Sequence, residues 1–306
     1  MTSTIDSSGE QFLADLSRVQ ATFTRAQRQI TSGLRVSEAA DAPDQIGTLL
    51  QLQANLGRNT QIKSNLGLVK TDADTAEQIV GQVIQFTDQA TALATQGSNS
   101  TQTATGRLEL AQQVQGIQEH LVSLTQANVQ GRFIFGGDAD QVAPYQLDLT
   151  SPNGVIRTGK TPATRQVEDP AGGTFTVAKT AQDLFDHRNP DDSFAPDNLF
   201  AGLNDLRVAL TANNPAGIQT AITELHQAAS YVNAQQAFYG GVQNRIAAAT
   251  AFAGQNDISL RTQLSAGRDA DITAAALALT SSQTQMTAAF DARAKTPKTS
   301  LFDYLG

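Results

Sequence analysis

One stretch of the chain matches a motif that holds phosphate. Gly154-Val155-Ile156-Arg157-Thr158-Gly159-Lys160-Thr161 fits G-x-x-x-x-G-K-[ST], in which backbone amides and a lysine cradle a nucleotide's phosphates. That chemistry needs a buried strand before the glycines and a helix N-terminus after them. Ser151-Pro152-Asn153 stands where the strand should be, and Pro162 follows Thr161 at once, biasing Thr161 away from the helical region. Pro170 and Gly172-Gly173 leave no room for a useful helix. The simpler reading is a hairpin turn, with a P-loop nucleotide-binding protein as a remote alternative. Asp138-Ala139-Asp140 opens like a calcium loop, but Ala143 stands where Gly is needed and Leu149 where a bidentate Glu is needed. His120, His187 and His226 are scattered, and the absence of Cys excludes thiolate chemistry and Cys-ligated zinc. No catalytic residue, cofactor or metal ligand is assigned.

The elements that would have to carry these groups are mostly helical. Phe12, Leu16, Val19, Phe23 and Ile30 recur at steps of three, four and seven, the spacing of one helix face. Ser32-Gly33 weakens that helix and Ala42-Pro43 breaks it, which places a loop at about 33–44. A second seam runs Ile62, Leu66, Val69, Ala73, Ala76, Val80, Val83, Thr87, Ala90, Ala94, always at steps of three or four. At 1.5 Å per residue it spans about 50 Å. Leu110, Val114, Ile117, Leu121 and Leu124 mark a third helix. Residues 144–196 hold six of the nine prolines, so no long helix crosses them. Tyr145–Leu149 and Thr174–Val177 alternate like strands. Helix resumes at Leu199–Thr211 and at Pro215, with a seam Leu225, Ala228, Val232, Gln235, Tyr239, Val242, Ile246. A last seam runs Ile272, Ala275, Leu279, Ser282, Met286, Ala289, before an apolar tail with Leu301, Phe302, Tyr304 and Leu305.

Composition narrows the function classes. The net charge of −8 and the lack of a polybasic run disfavour nucleic acid and anionic membrane surfaces. No apolar run approaches the ~20 residues of a membrane span, so no membrane insertion is expected. The start, Met1-Thr2-Ser3-Thr4-Ile5-Asp6, lacks the basic and apolar regions of a cleaved secretory signal. Aromatics make up only 6% of the chain, with no Trp, which argues against several large globular cores.

Three segments together resemble the bacterial flagellin family. Gln29-Ile30-Thr31-Ser32-Gly33-Leu34-Arg35-Val36-Ser37-Glu38-Ala39-Ala40-Asp41-Ala42-Pro43 is similar to the family's loop between its first two helices. Gly131-Arg132-Phe133-Ile134-Phe135-Gly136-Gly137 is similar to a segment typical of its hook–filament junction branch, with Phe133 and Phe135 alternating to one face. Arg268-Asp269-Ala270-Asp271-Ile272 and the tail Leu301-Phe302-Asp303-Tyr304-Leu305-Gly306 are similar to its C-terminal end. They fall in the family's order, and the varying middle is not covered.

The expected fold is mainly α: an elongated antiparallel helical bundle or coiled coil made by the N- and C-terminal segments, with a small β-rich insert. Residues 1–44 with 265–306 are the terminal coiled-coil assembly domain, 45–137 with 186–264 the helical rod, and 138–185 the insert. The resemblance implies a structural adaptor, not an enzyme, joining hook to filament, with a filament-forming flagellin as the alternative. It implies export without a cleaved signal peptide to the extracellular flagellum. The implied partners are copies of itself in a ring, the other hook–filament junction protein, flagellin and an export chaperone. The assembly interface is assigned to Phe12, Leu16, Val19, Phe23, Ile30, Ile272, Leu279, Met286, Leu301, Phe302, Tyr304 and Leu305.

Overall fold

A computed structural model describes residues 3–159 and 161–295. Its elements are α1 (Ser3–Ser32), a 3-10 turn (Ala39–Asp41), α2 (Ile46–Ser98), α3 (Ala104–Thr125), β1 (Asn128–Val129), β2 (Arg132–Phe133), β3 (Tyr145–Leu147), β4 (Val155–Arg157), β5 (Gln166–Glu168), β6 (Thr174–Thr176), α4 (Ala181–Phe185), α5 (Leu199–Thr211), α6 (Pro215–Arg268) and α7 (Ile272–Lys295). The chain divides into two compact units. One combines the segment up to Arg58 with the segment from Asn256; the other is Asn59–Gln255.

In the Asn59–Gln255 unit, every position of the long α2 seam from Ile62 to Ala94 is buried. So is the α6 seam from Leu225 to Ile246. The two helices run antiparallel: Asn59 Nδ2 donates to the Ala253 carbonyl at 2.9 Å, and Gln243 Nε2 donates to Asp74 and Glu77 at 3.0 Å. Gly240-Gly241 costs the helix about 1 kcal/mol per glycine. Tyr239, Val242 and Ile246 around it are buried at roughly 1.5–3 kcal/mol each, so α6 continues through the glycines. Helices α3 and α5 pack together and complete the same core. Buried Arg107 closes the end of α2, donating to the Gly97 carbonyl at 2.8 Å and to Asn213 Oδ1 at 2.5 Å.

The insert is three separate antiparallel hairpins, β1–β2, β3–β4 and β5–β6. The first begins before residue 138, and short α4 ends the segment; neither has an apolar period long enough to read. The expected Phe133/Phe135 pairing on one face is not what forms. β2 stops at Phe133, the Gly136 amide turns back to the Phe133 carbonyl at 3.1 Å, and Phe135 alone is fully buried, edge-on to Phe185. Gly137, at φ +62°, must be glycine, because a Cβ there would lie 2.7 Å from the Pro162 carbonyl. Cations tie hairpins to helices: Arg165 and Arg132 reach Asp72 on α2 at 2.8 and 3.4 Å, and Arg245 on α6 lies 4.3 Å over Phe175.

Asp186, with no solvent exposure, holds the insert's other wall. It accepts from the Tyr145 hydroxyl at 2.7 Å, Asn198 Nδ2 at 2.8 Å, Arg188 Nε at 2.9 Å and Asn153 Nδ2 at 3.2 Å. Burial first, and then the Asp186 charge, push the Tyr145 hydroxyl well above its ordinary range, so it remains a neutral donor. Removing one member of a buried ion pair leaves the rest uncompensated. Asp186→Ala is expected to destabilise the Asn59–Gln255 unit by about 3–5 kcal/mol, and Asp186→Asn by less. Urea melts followed by far-UV circular dichroism check both.

Candidate assembly surface

The loop after α1 and the turn before α7 clasp each other. Gly33 leaves the helix at φ +70°, with its amide on the Gln29 carbonyl at 2.9 Å. Leu34 then pairs with Asp269 as an antiparallel bridge. The Arg35 and Val36 amides both donate to the Arg268 carbonyl, at 2.7 and 3.1 Å, and the Ala270 amide returns to the Gly33 carbonyl at 2.9 Å. The Arg35 guanidinium adds the Gly267 carbonyl and Gln45 Oε1. Val36, Ala42, Leu49 and Leu264 form a small apolar cluster beneath. Asp41 Oδ2 accepts from the Ser37 amide, the Ser37 hydroxyl and the Glu38 amide, each at 3.0 Å, and so fixes the loop's shape.

Starting from this clasp, α1 and α7 pack antiparallel, and the Arg293 guanidinium lies 5.5 Å from the centre of the Phe12 ring. Among the residues of these helices whose burial is described, the buried positions are small: Ala26 on α1, Ala275 and Ser282 on α7. Phe12, Leu16, Val19, Phe23 and Ile30 are half-buried along one stripe of α1; Leu279 and Met286 are half-buried on α7, while Ile272 is exposed. Leu301, Phe302, Tyr304 and Leu305 lie outside the described residues.

Three large apolar side chains are more open than any of these: Leu13 at 63% exposure, Leu277 at 72% and Phe290 at 56%. Leu277 stands two residues from Ala275, about 200° around the helix, and so faces away from α1. No periodic seam includes it. Phe290 was within reach of sequence reading, since it lies four residues after Met286. Leu50 and Ile258 in the same unit are also open.

The residues with chemical promise do not form a catalytic centre. Val155–Arg157 is strand β4, the next element after Thr161 is another strand, β5, and Lys160 lies outside the described residues. This is not the strand–loop–helix context a phosphate loop needs. Asp138 is taken up by Thr164 and Asp140 by Arg132. Asp271 caps α7 through the Ala274 amide at 3.0 Å. His120 stacks on Phe86, whereas His187 and His226 line one cleft.

Paired terminal helices, clasped at their inner ends, with an insert between them in sequence, define a class of helical structural subunit. The sequence comparisons agree with that class. The model of the bacterial flagellin N-terminal helical region matches residues 8–140, and that of the C-terminal helical region matches 218–305. Together they span more than two thirds of the chain, which belongs to the bacterial flagellin family. Flagellar hook-associated protein 3 of Salmonella typhimurium is 24% identical over 208 residues, 66% of this chain and 64% of that protein. The protein of the same name from Escherichia coli K12 is 25% identical over 226 residues, 71% and 69% of the two chains. The chain thus spans about two thirds of the length of these curated relatives. The crystal structure of flagellar hook associated protein-3 from Legionella pneumophila has the same fold, with a TM-score of 0.61 at 11% identity over 71% of this chain and 98% of that one.

Two tests bear on the clasp. Gly33 has open space around it, so Gly33→Ala adds only left-handed backbone strain, about 1–2 kcal/mol. Thermal melts of the variant should show that loss, and Gly33→Asn a smaller one. The amides of Glu38 and Ser37, and then the Ser37 hydroxyl, hold the Asp41 carboxyl below its ordinary value of 3.8. A depressed carboxyl stabilises above its unfolded value and loses that contribution as pH falls through the folded one. Amide protection at Ser37 and Glu38 should therefore drop as pH falls below 3.8, and Asp41→Asn should remove the dependence.

Proposed function

We propose that this chain is a structural subunit of the bacterial flagellum, acting as the adaptor between hook and filament. The observation that carries the reading is a conjunction. Both curated relatives are hook-associated protein 3, and the paired terminal helices leave Leu13, Leu277 and Phe290 open to solvent. An apolar set of this kind on a free monomer is an association surface. Neighbouring copies cover it, together with the half-buried flank of Phe12, Leu16, Val19, Phe23, Ile30, Leu279 and Met286, the exposed Ile272, and the tail residues Leu301, Phe302, Tyr304 and Leu305. Residues 1–44 and 265–306 act as the assembly domain, 45–137 and 186–264 as the rod, and 138–185 as a separate insert.

The role is structural, without a catalytic step. The protein reaches the flagellum through an export route served by a chaperone. Once there it contacts the other junction protein on one side and flagellin on the other. The resemblance of Gly131–Gly137 to the junction branch favours this over a filament-forming flagellin. In the fold itself the segment fixes the insert to a helix, Arg132 bonding Asp72 on α2 at 3.4 Å and pairing with Asp140.

A strain lacking the gene should secrete flagellin as monomers and be non-motile. Polymerisation of the purified chain into long filaments would instead make it a filament flagellin. The exposed positions give a sharper test. Leu277→Asp and Leu13→Asp should shift stability by no more than about 0.5 kcal/mol, as surface changes do, leaving helicity and melting unchanged. Neither variant should restore motility to the deletion strain. Full restoration by both would remove these residues from the interface.

A further inference from the structure

We propose that the cleft between α6 and the loop 187–197 is a binding site for an uncharged saccharide unit. The cleft is broad and largely open to solvent, with a volume of about 790 Å³. One wall is a single face of α6, carrying Thr223, His226, Gln227, Ser230 and Tyr231 at helical spacing. The other is the loop from His187 to Asp197, which is braced from behind. Asp186 anchors its start, Arg188 bridges to Phe194 and lies 4.6 Å over that ring, and the Asn189 and Ser193 backbones bond at 2.9 Å. A site on such a wall is preorganised and loses little freedom when a ligand arrives.

The lining selects the ligand's chemistry. His187 and Tyr231 stack with centroids 4.4 Å apart and planes 8° from parallel, so each covers one face of the other and keeps its opposite face for a ligand. The Tyr231 hydroxyl donates to the Asp183 carbonyl at 2.6 Å, and burial pushes it up to about 12, so that bond persists at neutral pH. His187 Nδ1 lies 2.6 Å from Asp197 Oδ1. In the neutral ring this fixes Nδ1 as donor and leaves Nε2 as acceptor. Gln227 adds an amide that can donate and accept, and His226 adds a second ring. Among the described residues, Asp197 is the one carboxylate on the lining and is already taken by His187, and no Lys or Arg lines the cleft.

The adjoining hollow does hold Lys179 and Arg188, but both are engaged. Lys179 bonds Gln235 and lies over Phe238; Arg188 bonds Asp186. An anion therefore finds no free Lys or Arg, while a mostly apolar lining with a few polar groups favours a ligand that has both an apolar face and hydroxyls. A ligand with an apolar C–H face for the rings and hydroxyls that both donate and accept fits the groups present. A pyranose has that form. Its source is either a free oligosaccharide or a unit of a neutral polysaccharide. The site stands apart from the assembly surface, since none of its residues lies on α1 or α7.

Saturation-transfer NMR on the purified full chain tests the site, with maltotriose, chitotriose, dextran and dextran sulfate as probes. Transfer to a trisaccharide supports recognition of a free oligosaccharide; transfer to dextran alone supports a polymeric source. His226 and Gln227 are exposed, so their alanine variants keep the fold. Gln227→Ala should bind about fivefold more weakly, the loss of one net hydrogen bond. Tyr231→Phe keeps the ring and should retain binding, whereas Tyr231→Ala should abolish it. Transfer to none of the neutral probes, preference for dextran sulfate, or equal binding by wild type and Gln227→Ala would overturn the proposal.

Discussion

The Arg268 carbonyl, accepting two amides from the loop after α1, is the contact on which the terminal unit turns. Two backbone strands only a few residues long bring chain segments more than 230 positions apart into register. Once Leu34 sits against Asp269, the directions of α1 and α7 are set, and so is the face each shows the other. Side chains alone would define that register less sharply, because among the described residues of α1 and α7 only alanine and serine are buried outright and the larger apolar residues are half-buried. The clasp supplies directional bonds where the packing supplies little shape.

The Asn59–Gln255 unit is organised the opposite way. Its helices are specified by large, periodic apolar side chains that fill one core, from Leu66 and Val80 on α2 to Tyr239 and Ile246 on α6. Polar interactions matter there at the edge, where short hairpins too small to hold themselves are fastened to helices. Asp186, Asp72 and Arg245 each join pieces with little apolar area of their own. A two-stranded hairpin is marginal by itself, so these ties decide whether the insert has a single form.

The helical frame was legible because its signal is periodic. Ile62 to Ala94 and Leu225 to Ile246 could be read residue by residue, and Ser32-Gly33 and Asn214-Pro215 mark boundaries by their own backbone chemistry. The β-rich insert could be read only coarsely. β1, α4 and the Asp186 centre depend on contacts between residues far apart in sequence, and three-residue strands carry no pattern. The meeting of His187 with His226 is of this kind, since neither position advertises the other. Leu277 was missed for a different reason. A lone leucine on a polar helix face belongs to no repeat, so its position carries no periodic signal.

The small residues between α1 and α7 have a mechanical consequence. Among the described residues only the short Ala26, Ala275 and Ser282 are buried outright there, while the larger Phe12, Leu16, Val19, Phe23, Leu279 and Met286 stay half-buried, so the hydrogen bonds of the clasp fix the pair more firmly than packing does along its shaft. A subunit with such a joint can yield slightly to its surroundings at its outer end while its inner end keeps a fixed geometry.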